Sequence, residues 1–374
     1  MNTSSAAPPR TAVSAGLPDF PWDVLEPVKA RAAAHPDGLV DLSIGTPVDP
    51  VPAVVQAALA AGADAPGYPA TAGSPGLRAA LHAYVERQCG AVGLPADAVL
   101  PTIGSKELVA GLPTQLGLGP EDTVVIPSLC YPTYEVGVRL AGATALRADS
   151  VAEIGSARVA LIWVNSPGNP HGRVLPAAHL REVVSWARAR GVLVVSDECY
   201  LELGFDTTPV SVLAPEVCGD SVAGVLAVHS LSKRSNLAGY RAGFVAGDPA
   251  VVAELLAVRK HAGLMLPAPV QAAMMAALAD ESHVDEQRAR YRARRVLLRA
   301  ALLTAGFTID DSEAGLYLWA TRGEDCWSTL DWLADRGILG SPGAFYGPLG
   351  RAHVRFALTA TDERMRSAAA RLRS

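Results

Sequence analysis

The sequence predicts an α/β protein built on a mostly parallel sheet, because apolar, β-branched runs alternate with segments of helical periodicity. The clearest predicted strands are residues 123–126, 159–163, 192–195 and 225–228. Between the second and third strands, residues 176–190 carry apolar side chains at helical spacing, with Gly191 after them as a stop. A strand, a helix and another strand in this rhythm predict βαβ units, whose strands run parallel in one sheet.

A second, smaller α+β domain is predicted from the C-terminal third. Two helices are expected at residues 270–279 and 282–305, and strand-like segments follow at 315–320 and 353–358. A chain of 374 residues also exceeds one typical domain. We therefore predict an N-terminal arm that joins the small domain (1–45), a large domain (46–265) and a small C-terminal domain (266–374).

Composition excludes several classes of partner. The formal net charge is −5 and there is no dense basic block, so nucleic acid is not an expected partner. The five cysteines are odd in number and lack C-x-x-C spacing, which argues against a disulfide framework and favours a reducing compartment, here the cytoplasm. The eight histidines lack H-x-x-x-H spacing, so no metal site is predicted.

Neither a signal peptide nor a membrane span is expected. Residues 1–21 are rich in Ser, Ala and Pro but lack a basic start followed by an apolar core. The longest uncharged apolar run, residues 262–279, is interrupted by Pro267 and Pro269, so we interpret it as a loop followed by a buried helix.

The chemistry centres on Lys233, just after the last predicted strand of the sheet. It stands in the segment HSLSKRSNLAGYRAGF (residues 229–244), after the hydroxyl residues Ser230 and Ser232, before Ser235, and eight positions before Arg241. This layout is typical of a lysine that forms a Schiff base with an aldehyde cofactor, with Ser and Arg side chains available for its phosphate. An isolated lysine would more simply lie on a surface turn.

Polar residues also follow two other predicted strands, and ligands of open α/β sheets collect at the carboxyl ends of the strands. On a pyridoxal ring, Asp197 would keep the ring nitrogen protonated, while Asn169 and Tyr200 would hydrogen-bond the phenolate oxygen. Lys233 would then move the substrate proton. Taken singly, Asn169 would be explained by an ordinary Asn-Pro turn and Asp197 by a helix cap. The combination of these residues with Tyr200 and Lys233 favours the cofactor.

A phosphate site is predicted where a turn enters a helix near Ser105. Gly104 and Ser105 offer backbone N–H groups and a hydroxyl, and Arg241 and Ser232 would complete the site. Lys106 either adds charge or faces solvent. In the same region of the chain, Tyr131 would stack on the cofactor ring or pack in the core.

Arg355 is the candidate for binding a substrate carboxylate. Residues 353–358 alternate, so Val354, Phe356 and Leu358 face one way and Arg355 faces the other. An arginine on that face is either exposed to solvent or a bidentate clamp for a carboxylate.

These motifs resemble the fold-type I, class I/II aminotransferases over nearly the whole chain. The pattern from Ser230-x-Ser232-Lys233 to Gly239-x-Arg241-x-Gly243 is highly specific for them, and residues 68–78 (YPATAGSPGLR) are similar to their Tyr-x-x-x-x-Gly-x-x-x-Leu-Arg segment. The resemblance implies a three-layer αβα large domain, pyridoxal 5′-phosphate as cofactor, and amino acids and 2-oxo acids as substrates. It also implies a homodimer in which Tyr68 reaches the partner's phosphate, with Gly45 and Arg355 at the substrate carboxylate.

Three segments narrow the resemblance further. Residues 233–241, 341–347 and 354–362 are similar to actinobacterial succinyldiaminopimelate aminotransferases of lysine biosynthesis. This implies transamination between N-succinyl-2,6-diaminopimelate and 2-oxoglutarate, with glutamate as the other amino acid. His171 is a departure, because the family usually has Thr there.

Other assignments stay open. The same residues fit aminotransferases for aspartate, aromatic or other amino acids, and a carbon–sulfur β-lyase using the same cofactor. A ligand-sensing transcription regulator is disfavoured, because the segment before Gly45 is too short for a winged helix. The second carboxylate of a doubly acidic substrate would be bound by Arg10, Arg234, Lys260 or a residue of the other subunit.

Overall fold

A seven-stranded sheet is the largest element of the computed structural model, which describes residues 12–373. The strands of the described chain are β1 (Val40–Asp41), β2 (Val99–Ile103), β3 (Thr123–Ile126), β4 (Thr144–Arg147), β5 (Val159–Asn165), β6 (Leu193–Asp197), β7 (Val225–Ser230), β8 (Ala242–Gly247), β9 (Thr308–Asp310), β10 (Tyr317–Thr321), β11 (Ile338–Leu339), β12 (Ser341–Pro342) and β13 (Val354–Ala357).

The α-helices of the same region are α1 (Pro21–Val24), α2 (Glu26–Ala33), α3 (Ala53–Ala61), α4 (Pro75–Tyr84), α5 (Ser105–Gln115), α6 (Thr133–Leu140), α7 (Val151–Ile154), α8 (Ala177–Arg188), α9 (Pro215–Cys218), α10 (Leu231–Arg234), α11 (Pro249–Ala262), α12 (Ala268–Ala279), α13 (Ser282–Thr304), α14 (Cys326–Ala334) and α15 (Asp362–Arg371). A π-helical turn at Val85–Cys89 continues α4, and 3₁₀ turns lie at Val13–Gly16, Ala238–Tyr240, Gly343–Tyr346 and Pro348–Gly350.

The large sheet has the order β2-β8-β7-β6-β5-β3-β4. Pairings from β7 through β6, β5 and β3 to β4 are parallel, whereas β8 is antiparallel to both of its neighbours. All six residues of β7 are buried, as expected of a strand covered on both faces. The predicted α/β class with a mostly parallel sheet is therefore confirmed.

Helices cover both faces of this sheet, which makes three layers. On one face, Leu161 and Trp163 of β5 share a core with α5, α6 and α11. On the other face, Ile162 and Val164 of the same strand share a core with α4, α8 and α12. The alternation along one strand follows from the two-residue period of side chains in a β-strand.

The predicted strands lie close to the observed ones. Residues 123–126 coincide with β3, while β5 and β7 each continue two residues beyond their predicted ends. Strands β2, β4 and β8 were not predicted. The β8 sequence AGFVAG is made largely of small residues and directly follows the Gly-x-Arg motif, so it lacks the β-branched run that marks its neighbours.

A smaller antiparallel sheet, in the order β12-β13-β10-β9, forms a second core with α13, α14 and α15. Leu25, Val40 and Leu42 of the N-terminal segment lie in this core, and β1 pairs in parallel with β11. Helix α12 instead packs on α3 and α4, against the large sheet. The division into domains remains a prediction. The packing of α12 favours a boundary after this helix, whereas the predicted boundary lies before it, between residues 265 and 266. No helix of residues 12–373 is long and apolar enough to cross a membrane.

Candidate active site

The carboxyl ends of β5, β6 and β7 bring several of the predicted residues together. Asn165, the last residue of β5, donates through Nδ2 to the backbone oxygen of Asp197 at the end of β6 (2.9 Å). Its Oδ1 accepts from the backbone N–H of Asn169 (2.8 Å). One amide side chain thus fixes the loop that carries Asn169 to the strand that carries Asp197. This role of Asn165 was not predicted, although the residue lies only two positions after the predicted end of the strand.

Asp197 is a buried carboxylate with fixed orientation. Tyr134 Oη donates to its Oδ2 (2.8 Å) and the Cys199 backbone N–H donates to its Oδ1 (3.2 Å). Burial raises the pKa of Asp197, while the bonds from Cys199 and Tyr134 act in the opposite direction. A cationic ring nitrogen beside it would favour the ionised form. Tyr134, which also stacks on Trp163, was missed because core packing explains an aromatic in α6 equally well.

Lys233 lies in α10, directly after β7, and its Nζ donates to the backbone oxygen of Gly45. Burial lowers the pKa of Lys233, and Arg355 and Arg241 act in the same direction. A lysine amine with a lowered pKa is more often neutral, which is the form that acts as a nucleophile or a base. The Ser230 hydroxyl accepts from the Ser232 backbone N–H (3.2 Å) and so caps this helical turn.

Arg355 is only 3% exposed, which excludes the solvent-facing alternative. Its Nη1 donates to Asn169 Oδ1 (2.9 Å) and its Nη2 donates to the Ser43 backbone oxygen (2.6 Å). The guanidinium carbon lies 3.9 Å from the centre of the Tyr317 ring and 4.9 Å from that of Tyr346. Its Nε is buried without a hydrogen-bond partner, so the Nε–H group is free to donate to an anionic ligand.

Gly45 and Tyr317 are in close contact beside Lys233. A Cβ added at Gly45 would overlap the Tyr317 hydroxyl, so the close approach requires glycine. The Tyr317 hydroxyl is also 3.1 Å from that of Tyr200. Sequence analysis named Gly45 and Tyr200 but missed Tyr317, because the short strand-like segment around it gave no sign of which side chain faces the site.

Gly104, Lys106 and Arg241, three residues of the predicted phosphate site, lie together at the N-terminus of α5. Gly104 precedes Ser105 with φ 74°, and a Cβ there would overlap the guanidinium of Arg241. Burial and the charge of Arg241 lower the pKa of the neighbouring Lys106. A phosphate dianion fits this arrangement, which offers the backbone N–H groups of a helix N-terminus and two nearby cations, Arg241 and Lys106. Tyr131 is half-buried and its ring meets Tyr134 edge-on (6.1 Å).

Other predicted residues lie elsewhere. Tyr68 is 97% exposed, so a single chain does not bring it to the site. Arg234 is buried and its guanidinium pairs with Glu202 (2.6 Å) and Glu281 (3.3 Å), so it is not available to a second substrate carboxylate. Lys260 is exposed on α11, and Arg10 lies outside the described residues.

A buried polar group lies on the opposite face of the sheet from Asp197. Possible ligand atoms of Cys89, Glu198 and His229 all lie within 4.8 Å of one another. They come from three separate elements, so no spacing pattern could reveal them. Glu198 Oε1 accepts from the Val212 backbone N–H (2.6 Å), whereas its Oε2 accepts no hydrogen bond and lies 3.7 Å from His229 Nε2. Burial raises the pKa of Glu198 to about 7 and lowers that of His229 to about 3.

The chain is similar to known proteins over nearly its whole length. Residues 37–372 match the family model of aminotransferase class I and II. The chain is 64% identical over 372 residues to a probable aminotransferase of Mycobacterium tuberculosis, covering 100% of this chain and 89% of the relative. It is 60% identical over 356 residues to the 4-dedimethylamino-4-oxo-anhydrotetracycline transaminase of Streptomyces rimosus, covering 95% and 99%.

A solved structure of similar fold is that of a probable N-succinyldiaminopimelate aminotransferase from Thermus thermophilus. It superposes with a TM-score of 0.85 at 28% identity, over 95% of this chain and 99% of the other.

Replacing Glu198 by Gln should stabilise the protein more at high pH than at low pH. A raised carboxyl pKa contributes stability that is full below the unfolded value of 4.5 and is lost as pH rises to about 7. Glutamine carries no charge and keeps the acceptor for Val212. We expect the variant's free energy of unfolding, relative to wild type, to rise by about 2 kcal/mol between pH 5 and pH 8.

Urea unfolding of the holoenzyme at both pH values measures this difference. His229, with a pKa of about 3, stays neutral in both folded proteins over this range, so its titration in the unfolded chain cancels from the comparison. Glu216→Gln, at an exposed position of α9, is the matched control and should show no such change. An equal effect of Glu198→Gln at both pH values would contradict the prediction.

Proposed function

The chain belongs to the class I and II aminotransferases, and we propose that it exchanges amino groups between N-succinyl-2,6-diaminopimelate and 2-oxoglutarate. It is a transaminase that uses pyridoxal 5′-phosphate, with amino acids and 2-oxo acids as substrates. The observation that carries the proposed site is the convergence of Lys233, Asp197 and Arg355. The strands that position them, β7, β6 and β13, belong to two different sheets.

The choice of substrate has two supports. Three segments of the sequence, residues 233–241, 341–347 and 354–362, are similar to actinobacterial succinyldiaminopimelate aminotransferases. The Thermus thermophilus protein of similar fold carries the name of a probable N-succinyldiaminopimelate aminotransferase. This assignment places the chain in the biosynthesis of diaminopimelate and lysine.

Bound pyridoxal phosphate supplies an aldehyde that takes up the amino group and a ring that withdraws electrons from the substrate's Cα. Lys233 Nζ holds the cofactor and, once freed, accepts the Cα proton; its burial favours the neutral amine that this step needs. Arg355 binds the α-carboxylate through donors fixed by Asn169 and Ser43, and the Gly45 backbone approaches the same group. A fixed carboxylate orients the Cα–H bond for transfer to Lys233.

The remaining residues hold the cofactor itself. Asp197, oriented by Tyr134, keeps the ring nitrogen protonated, and Asn169 and Tyr200 hydrogen-bond the ring oxygen. Tyr131 covers the ring. The phosphate is held at the start of α5 and by the hydroxyl and cationic residues near it: Gly104, Ser105, Lys106, Ser230, Ser232 and Arg241.

The family is typically dimeric, and we propose a homodimer in which Tyr68 enters the phosphate site of the other subunit. The support is its exposure of 97%, because a large aromatic side chain left in water loses the free energy that burial would supply.

A second candidate substrate is a ketone on a fused ring system. The Streptomyces rimosus relative is named for such a substrate. In this chain, Trp22 stacks on Phe345 (5.9 Å) and lies 6.2 Å from Phe20, whose ring is 5.7 Å from Lys106 Nζ. This aromatic group extends from the phosphate site to the segment next to Tyr346, where a flat ring would find stacking partners.

Substituting Lys233 by Ala should lower kcat by about 10³-fold or more, because the variant lacks the proton acceptor. The visible absorbance of the Lys233-bound cofactor should also disappear. Lys29→Ala, at an exposed position of α2, is the control and should keep both properties. Turnover of Lys233→Ala near the wild-type rate would refute the mechanism.

The substrate assignment is tested by a panel of amino donors with 2-oxoglutarate, following glutamate formation. Succinyldiaminopimelate should exceed aspartate and aromatic amino acids in kcat/KM by about tenfold or more. A preference for one of the other donors would overturn the narrow assignment. Preferential amination of an anhydrotetracycline ketone by glutamate would favour the second candidate. Pyruvate and ammonia released from cystathionine without an acceptor would indicate a β-lyase.

Mixing two inactive variants tests the shared site. In a hybrid of Tyr68→Ala and Lys233→Ala subunits, one of the two sites has both residues intact if Tyr68 acts across the interface. Random mixing should therefore restore about a quarter of wild-type activity. If Tyr68 acted within its own subunit, neither site of the hybrid would be intact and mixing would restore nothing.

A further inference from the structure

Tyr317 lies at the centre of the proposed site without a role in the mechanism above. It is a buried residue of β10, and its hydroxyl is 3.1 Å from that of Tyr200. The same hydroxyl fills the space over Gly45, whose backbone oxygen accepts from Lys233. Its ring stacks 3.9 Å from the guanidinium carbon of Arg355. Tyr317 therefore contacts both Tyr200, proposed to bind the cofactor, and Arg355, proposed to bind the substrate carboxylate.

The charges around Tyr317 favour a strongly polarised hydroxyl. Burial alone would raise its pKa, but the positive charges of Arg355 and Lys233 hold the pKa below its ordinary value. Such a phenol is a better hydrogen-bond donor. The titratable or charged groups that act on Tyr317, or are acted on by it, are Arg355, Lys233, Tyr200, Cys199, Tyr131, Tyr291 and Tyr346.

The hydrogen bond between the Tyr200 and Tyr317 hydroxyls has a preferred direction. Either oxygen can be the donor in the Tyr200–Tyr317 bond. Tyr200 has one proton, and its proposed role is to donate that proton to the cofactor's ring oxygen. If Tyr200 donates its only O–H to the ring oxygen, it must be the acceptor in its hydrogen bond with Tyr317. Hydrogen bonds in such a chain strengthen one another.

We propose that Tyr317 is a positioning residue that donates to Tyr200 and so fixes Tyr200 as the donor to the ring oxygen of the cofactor. This inference rests on the proposed roles of Lys233 and Tyr200. Donation to the ring oxygen stabilises its ionised form. Tyr317 thereby lowers the pH at which the cofactor bound to Lys233 changes its protonation state.

The test is a pH titration of the visible absorbance of the holoenzyme without any amino donor. In Tyr317→Phe the midpoint should rise by about half to one pH unit, the size expected from losing one hydrogen bond between neutral groups. Tyr346→Phe is the matched control, since Tyr346 also faces Arg355 but its hydroxyl bonds Ser341 (2.8 Å). Its midpoint should match wild type.

A double variant separates positioning from a direct effect on the cofactor. Tyr200→Phe should raise the midpoint further than Tyr317→Phe does. Because Tyr317 acts through Tyr200, the double variant should titrate like Tyr200→Phe alone.

Three results would overturn the inference: a wild-type midpoint in Tyr317→Phe, additive shifts in the double variant, or loss of cofactor binding in Tyr317→Phe but not in Tyr200→Phe. The last would assign Tyr317 a purely structural role. No amino acid substrate enters the titration, so an incorrect substrate assignment would leave its outcome unchanged.

Discussion

One buried cation ties together three distant parts of the chain. Arg355 lies on β13 of the small sheet, yet its donors reach Asn169 on the loop after β5 and the backbone of Ser43 after β1. A buried charge is stabilised by the groups that accept its hydrogen bonds, so Arg355 and these two partners constrain one another. Tyr317, on β10 of the same small sheet, adds a cation–π contact to the guanidinium. The position of the N-terminal segment, the Asn169 loop and the small sheet thus depends on one guanidinium.

Much of this arrangement could be predicted because it follows from local rules. The run of β-branched residues in β3 and β7 marks buried parallel strands, and the carboxyl ends of such strands meet at one edge. That rule alone was enough to expect Asp197 near Lys233. The turn at Gly104 was likewise predicted to enter a helix near Ser105, and the observed φ of 74° at this position favours glycine.

Other features depend on packing between elements, which periodicity does not reveal. Tyr134 resembles an ordinary core aromatic until the fold places its hydroxyl against Asp197. Tyr317 belongs to a short strand of a different sheet, and only the meeting of the two sheets brings it to Gly45. Strand β8 escaped prediction because its small residues carry little strand propensity, although its pairing with β7 is continuous.

The reversed direction of β8 has a consequence for how the cofactor is anchored. Ser230 at the end of β7 pairs with Gly243 near the start of β8. Lys233 and Arg241 therefore lie at opposite ends of the segment that connects these two antiparallel strands. The covalent and ionic anchors proposed for pyridoxal phosphate therefore both flank neighbouring strands of the large sheet. Recognition of the substrate carboxylate by Arg355 belongs to the other sheet. A change in the small sheet would therefore alter substrate recognition and leave the two cofactor anchors unchanged.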